Sequence, residues 1–302
     1  MEQPFGFLLI DKPEGPTSHT VVYNVRRSLK IRKVGHAGTL DPFASGLLIV
    51  CLGRATRLSE YLLHGEKVYR FGIILGAESD TFDKTGKIVE KDSPEIFREQ
   101  VLEILPQFTG DILQRPPVYS ALKRKGRKLY EYARAGEEII PEPRNVTVHE
   151  ISLEDFSPPR ISFRARVGGG VYIRALGHDI GKALGTAAYV EWLRRTRVQK
   201  VHVDDAVPLD EFRENPMSGK ARLSPKQLFS DWANISLSGR PLKLARNGNS
   251  FPSEDIADKP TPPEGKKFFL TDEKGKIVSV AITERDSRDR RMIRPVKVIH
   301  SE

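Results

Sequence analysis

Residues 33–46 read Lys33-Val34-Gly35-His36-Ala37-Gly38-Thr39-Leu40-Asp41-Pro42-Phe43-Ala44-Ser45-Gly46. From Gly35 to Gly46, three glycines, a proline and no hydrophobic periodicity predict a long loop. Upstream, Val21, Val22, Val25 and Leu29 recur at helical spacing behind Ser18, the expected N-cap. Downstream, residues 47–52 form a short continuous apolar run, as expected of a buried strand. Irregular loops held between two such elements disproportionately carry function. Within this loop Asp41 precedes a proline, which pushes it out of the right-handed helical region; such an aspartate ordinarily serves its own turn by accepting backbone N–H groups.

Working outward, residues 5–11 read as a first strand, followed by the turn Lys12-Pro13-Glu14-Gly15-Pro16. Residues 67–75 and 87–90 read as strands joined around Asp83-Lys84-Thr85-Gly86, a hairpin turn, and residues 94–105 as a helix. Residues 146–153 and 160–167 are further strands, while 172–184 and 189–195 carry helical spacing. This mixed order predicts an α+β protein with a mixed sheet flanked by helices, not regular βαβ repeats. A basic, proline-interrupted stretch at about 123–145 breaks the strand pattern and reads as an insertion. After Trp232 the texture changes to short apolar runs punctuated by Gly and Pro, with strands at 268–270 and 277–282. The expected division is a large domain over 1–237 and a small β-rich domain over 238–302.

The chain has 302 residues, 38% hydrophobic and 29% charged, ordinary values for a globular protein. Its longest apolar run, residues 46–52, is far short of the roughly 20 residues a spanning helix needs, and Met1-Glu2-Gln3-Pro4 lacks a basic signal-peptide start. A cytoplasmic, membrane-free protein is expected. Cys51 is the single cysteine, which excludes an internal disulfide and Cys-rich zinc patterns. The net charge of +9 points to a polyanionic partner, because clustered Lys and Arg release counterions from phosphates. The clusters are present: Arg26, Arg27, Lys30, Arg32 and Lys33, then Lys123, Arg124, Lys125, Arg127 and Lys128, the latter with Tyr119, Tyr130 and Tyr132 nearby for base stacking.

Several chemistries fail on spacing. There is no Walker A sequence, Gly168-Gly169-Gly170 lacks dinucleotide-binding spacing, and Ser45 is outside any Gly-x-Ser-x-Gly. The seven histidines show no His-Glu-x-x-His or other close ligand pair, so a metal-free mechanism is expected.

The string Lys33 to Pro42 closely resembles the signature of the TruB family of tRNA pseudouridine synthases. Further blocks follow in family order: Leu9-Ile10-Asp11-Lys12-Pro13 with Gly15, Lys67-Val68-Tyr69-Arg70-Phe71, and Pro116-Pro117-Val118-Tyr119-Ser120-Ala121-Leu122-Lys123. The remaining blocks are Gly170-Val171-Tyr172-Ile173-Arg174-Ala175-Leu176 with His178-Asp179-Ile180-Gly181, then Leu193-Arg194-Arg195-Thr196. Ala37 departs from the family, where Thr or Ser is common.

The resemblance implies that Asp41 is catalytic in isomerising uridine 55 of the tRNA TΨC arm to pseudouridine, with no cofactor and no metal. Two routes stay open: covalent attack by the carboxylate, or proton removal from the sugar to give a glycal. Arg174 is implied as the partner of Asp41, Tyr69 as the ring stacked on the flipped uracil, and His36 as the group entering the vacated RNA stack. Tyr172, Leu193, Lys12 and Pro13 are implied to line the pocket. The resemblance further implies an RNA clamp at 123–145 and a PUA-like C-terminal domain reaching toward the acceptor end, with no obligatory protein partner. Two rivals are a guide-RNA-dependent relative with the same loop and a non-catalytic tRNA-binding or folding chaperone.

Overall fold

The computed structural model describes residues 5–120, 122–124, 126–135, 137, 139–216, 218–219, 221–256 and 260–300. The calls on residues 1–4, on Lys125 and on the side chains of Lys123, Arg124, Lys128 and Tyr130 lie outside the described residues.

An eleven-stranded mixed sheet organises the larger part of the chain. Its main path runs Val207–Pro208, Gly6–Lys12, Ser45–Leu52, Ala188–Val198, Lys67–Leu75, Arg160–Val167, Arg144–Ser157 and Gly110–Gln114. Along this path two junctions are parallel, Gly6–Lys12 with Val207–Pro208 and Ser45–Leu52 with Ala188–Val198; the others are antiparallel. The neighbouring strands Gly6–Lys12 and Ser45–Leu52 are apolar along nearly their whole length because both of their faces are covered. Leu8, Ile10, Leu48 and Val50 join a core with Val21, Val22 and Val25 of the helix Ser18–Leu29 and Leu176 and Ile180 of the helix Ile173–Ala183. Phe7, Leu9, Leu47, Ile49 and Cys51 point the other way, into a core shared with Phe229, Phe269 and Val280.

Local chemistry explains the helix that precedes the loop. Thr17, not Ser18, is its N-cap, its hydroxyl accepting from Thr20 N at 3.0 Å. Ser18 is buried and its hydroxyl is used elsewhere. Lys30 ends the helix in the left-handed region at φ 52°, and Arg26, Arg27, Lys30, Arg32 and Lys33 all face solvent.

The helix expected over 189–195 is a strand, Ala188–Val198. Two register shifts, between Val190 and Trp192 and between Arg195 and Arg197, leave Val190, Leu193, Arg195 and Val198 buried. Bulges therefore turned a period of two into intervals that imitate helical spacing. The helix expected over 94–105 is shorter, Arg98–Ile104, and continues as a 3-10 turn, Leu105–Phe108, around Pro106. The inserted segment is closed at its base by pairing of Gly110–Gln114 with Arg144–Ser157, Arg144 opposite Gln114.

The β-rich module is a five-stranded sheet in the order Asn234–Ser236, Lys267–Thr271, Ile277–Arg285, Arg291–Val298, Phe251–Pro252, with the helix Gly239–Arg246. Phe268 and Leu270 fill its own core, whereas Phe269 faces outward onto Trp232 and Phe229 at ring-centroid distances of 5.0 and 6.1 Å.

Candidate active site

The loop that follows the strand Val34–His36 is fastened from several sides. On the helix side, Ser18 Oγ accepts from Leu40 N at 2.8 Å and donates to Leu40 O at 3.0 Å, satisfying both backbone groups of the residue before Asp41. Gly15 N donates to Pro42 O at 2.8 Å, and Ala44 N closes the turn on Asp41 O at 3.1 Å. Lys12 is fully buried, its ammonium donating to Pro13 O and Pro16 O at 2.8 Å and to Pro42 O at 3.3 Å. Lys12 thus knits the Pro-rich turn to the loop, and burial lowers its pKa to about 8 against the opposing pull of Asp41. Pro13, by contrast, is exposed on that turn.

Asp41 meets Arg174, which the first turn of the helix Ile173–Ala183 delivers. Arg174 Nε lies 3.1 Å from Asp41 Oδ2, off the line of its N–H, and Nη2 donates to Oδ1 at 3.5 Å. The carboxylate is held by charge more than by aligned hydrogen bonds, which leaves its lone pairs available. Its surroundings are deep yet open on one side, 36% of the side chain being accessible. Desolvation pushes the Asp41 carboxyl above the usual aspartate range and Asp83 adds to this, while Arg174 and Lys12 pull it down.

Arg174 itself is held rigidly. Nη1 donates to Thr81 O and to Asp83 Oδ2, both at 3.0 Å, and Nη2 donates to Tyr119 O at 2.9 Å. The Asp83 turn is in turn built for this. Asp83 Oδ1 accepts from Thr85 N at 2.8 Å and Thr81 Oγ1 at 2.9 Å, leaving Oδ2 for the guanidinium. Phe82 between them takes φ 62°, a rare conformation for a bulky residue, and its ring stacks on His178 at 4.1 Å. The turn docks on the sheet through Val190 N to Phe82 O at 2.9 Å and Lys84 N to Val190 O at 3.0 Å.

The other expected site residues are placed as follows. Tyr172, the residue before that helix, exchanges two hydrogen bonds with Gln114: its N donates to Oε1 at 2.8 Å and its O accepts from Nε2 at 3.1 Å. Burial raises its phenol pKa, and the charge of Asp41 acts in the same sense. Tyr69 and Leu193 lie on neighbouring strands, 8% and 6% exposed, within the apolar cluster that holds Leu40 and Phe43. His36 ends its strand opposite Val50, with a buried Nδ1 that has no partner. Burial lowers its pKa, helped by the charges of Arg195 and His19, so the ring is neutral near pH 7. Asp41, Arg174, Tyr172 and Lys12 are therefore brought together; Tyr69 and Leu193 belong to the core that holds Leu40 and Phe43, and Pro13 stands outside on the surface.

Asp83 was read in the sequence as a turn residue, which it is; its second role needs Arg174 from 91 residues away and leaves no local signal. Among the described residues, no group of His, Cys, Asp and Glu is arranged to hold a metal ion, and no helix is long and apolar enough to cross a membrane.

In the insertion, Arg127 donates to Glu137 Oε1 at 2.6 Å and lies 4.4 Å over the Tyr132 ring. The arginines of the C-terminal module are largely engaged: Arg285 with Glu264 and Asp289, Arg290 with Asp286, Arg294 with Glu284, and Arg291 with Thr261 O and Pro262 O.

The family model for the N-terminal domain of TruB family pseudouridylate synthases matches residues 26–173, and that for the tRNA pseudouridylate synthase B C-terminal domain matches residues 174–228. A tRNA pseudouridine synthase B of Aquifex aeolicus (strain VF5) is 46% identical over 215 residues, 70% of this chain and 75% of the relative. That of Syntrophotalea carbinolica (strain DSM 2380 / NBRC 103641 / GraBd1) is 36% identical over 289 residues, 95% of this chain and 94% of the relative. Among solved structures, a crystal structure of a Cbf5-Nop10-Gar1 complex superposes with TM-score 0.70 at 26% identity, covering 98% of this chain and 85% of that one. The resemblance in the Asp41 loop thus extends over nearly the whole molecule, and the chain belongs to the TruB family of pseudouridylate synthases.

Proposed function

We propose that this chain converts uridine 55 in the TΨC arm of tRNA to pseudouridine, with Asp41 as the catalytic group. The observation that carries this is the Asp41 carboxylate, reachable from solvent and paired at 3.1 Å with a buried Arg174. The curated relatives named tRNA pseudouridine synthase B supply the substrate class.

The isomerisation breaks the N1–C1′ bond, turns the base and rejoins it through C5. It is redox-neutral and needs no cofactor. Asp41 acts ionised, either by covalent attack or by taking a sugar proton. A uridine inside an RNA arm must be flipped out first, at a cost of a few kcal/mol. Tyr69 stacks on the extruded uracil, with Tyr172 and Leu193 lining its pocket and neutral His36 occupying the space left in the RNA. Lys12 acts from behind, through the Pro42 carbonyl; Pro13 shapes the turn.

In this reading the larger part of the chain is the catalytic domain, and the small β-rich part, whose sheet begins at Asn234–Ser236, a few residues before the expected boundary at 238, is a PUA-like RNA-binding domain that reaches toward the acceptor end. The segment at about 123–145 clamps the arm together with the exposed basic residues around Arg27 and Lys30. The chain works in the cytoplasm without an obligatory protein partner.

The test is tritium release from 5-tritiated uridine in an unmodified tRNA transcript. Release should require both Asp41 and a uridine at position 55, vanishing for Asp41→Asn and for a transcript with cytidine there. Tight binding without release by the unmutated chain would instead indicate a guide-dependent enzyme or a chaperone.

A further inference from the structure

We propose that Arg195 is a positioning residue for the reaction, its buried guanidinium setting the aim of the Asp41 loop by gripping both of the loop's arms. Arg195 is 1% exposed and among the largest side chains fully enclosed by the protein. Its donors go to backbone: Nε to Leu47 O at 2.8 Å, Nη1 to Thr39 O at 3.3 Å and Nη2 to Gly38 O at 3.1 Å. Gly38 and Thr39 lead into Asp41 and Leu47 leads away from it, so one planar fork spans the loop's entry and exit. Among the described residues, no carboxylate lies within ion-pair distance of it.

A full charge enclosed without a counter-charge is expensive, and an apolar side chain of similar size would fill the space without that cost. Carbonyl oxygens in divergent directions are what a guanidinium satisfies and what a compact ammonium meets poorly. Lysine cations nearby are already occupied by their own carbonyls, Lys67 by Leu63 O at 2.9 Å and Gly65 O at 2.7 Å, and Lys12 by the turn. The backbone of Arg195 is equally committed, lying opposite Gly46 on one side and Tyr69 on the other. One residue therefore fixes the Asp41 loop relative to the strand that carries Tyr69. Ser18 holds the same loop from the helix side, at Leu40. With both in place, Asp41 cannot shift without breaking buried hydrogen bonds.

The inference rests on Asp41 being the catalytic carboxylate. Arg195→Lys keeps the charge and most of the volume while losing the fork; Arg195→Met removes the charge. Both are compared with the unmutated chain and with Asp41→Asn for single-turnover tritium release, tRNA affinity by filter binding, thermal unfolding and amide exchange. An error of about 1 Å in the placement of a reacting group costs on the order of 100-fold in rate. The expected result is a loss of that size for Arg195→Lys and at least as much for Arg195→Met. Transfer RNA affinity should stay within about threefold, because no substrate contact is lost. The Leu40 and Ala44 amides should exchange faster in a protein that still unfolds cooperatively, while those of the helix Ile173–Ala183 stay protected. Release at an undiminished rate by Arg195→Lys, or rate and affinity falling together, would overturn the proposal. So would failure of both variants to fold, which would make the grip a support of the fold and not of catalysis. Release by Asp41→Asn would remove the underlying reading as well; inactive Asp41→Asn beside a fully active Arg195→Lys would sink the positioning role alone.

Discussion

Asp83 and Arg174 form an ion pair at 3.0 Å whose two side chains are only 3% and 5% exposed, and the same guanidinium reaches the partly accessible carboxylate of Asp41. A buried charge left without its partner is strongly unfavourable, so Asp83 fixes where Arg174 stands. Asp83→Asn keeps the shape of the turn and removes the charge. A charged hydrogen bond is worth about 1.5–3 kcal/mol. The single-turnover rate should accordingly fall roughly 10- to 100-fold, with tRNA affinity nearly unchanged because Asp83 is out of reach of substrate. Quench-flow tritium release beside filter binding separates the two. An equal loss of both would show that Asp83 does not act through Arg174.

The same substitution carries a pH signature. Desolvation and the Asp83 charge hold the Asp41 carboxyl above the ordinary aspartate value, and the proposed reaction uses the ionised form. Activity should therefore decline as pH falls, with a midpoint above the ordinary aspartate value of 3.8. Removing the Asp83 charge removes a repulsion that favours the protonated acid. The acid limb of Asp83→Asn should thus move to lower pH even though its plateau is lower. A limb that moves upward would mean that disorder of Arg174 outweighs the lost repulsion.

Ser18 provides a cleaner test of the loop's other anchorage. Its hydroxyl satisfies both Leu40 N and Leu40 O in a buried setting. Ser18→Ala leaves two backbone groups enclosed and unpaired, at about 1–3 kcal/mol for each such group before relaxation. A drop of several degrees in Tm is expected together with slower turnover, read by differential scanning calorimetry and tritium release. An unchanged Tm would show that water enters to satisfy Leu40.

Much of this arrangement was legible before any coordinates. The Asp41 loop, the flanking helix and the strands at 67–75, 160–167 and 277–282 follow from apolar spacing and from Gly and Pro punctuation. The pairing of Asp41 with Arg174 came only from the family resemblance, because 133 residues separate the partners. Three features stayed hidden for distinct physical reasons. The strand Ala188–Val198 was concealed by its bulges, which shift the burial interval. Asp83 satisfies its own turn so completely that a local reading is already sufficient. Lys12 and Arg195 are buried cations whose donors are satisfied by backbone carbonyls, and a carbonyl partner has no letter in the sequence.

Cys51 reports on the integrity of this core. The thiol is fully buried on the strand Ser45–Leu52, and burial raises its pKa from 9.0 to about 12. A thiol reagent at pH 8 should leave the native chain unmodified and react fully once it unfolds. The linkage has a definite sign. The raised folded value favours the protonated native thiol, so its contribution to stability is complete below pH 9 and is lost as pH rises toward 12. Reaction of the native chain faster than its global unfolding would place Cys51 in a locally opening segment.

The C-terminal module is a separate sheet but shares a core with the rest of the chain. Phe269 projects from its strand onto Trp232 and Phe229, and Phe229 packs edge-on against Phe7 of the first strand at 6.1 Å. Lys297 and Arg57 add polar contacts across the same seam, to Glu60 and to Val298 O. Apolar surface shared in this way couples the two parts energetically, so thermal unfolding followed by far-ultraviolet circular dichroism and by tryptophan fluorescence should give one coincident transition. Phe269→Ala should cost about 3–5 kcal/mol, the usual price of deleting a buried ring, and lower that single transition as a whole. Two transitions in the unmutated chain, with Phe269→Ala moving only one of them, would show that the C-terminal module folds independently and that the aromatic seam is a docking contact between domains.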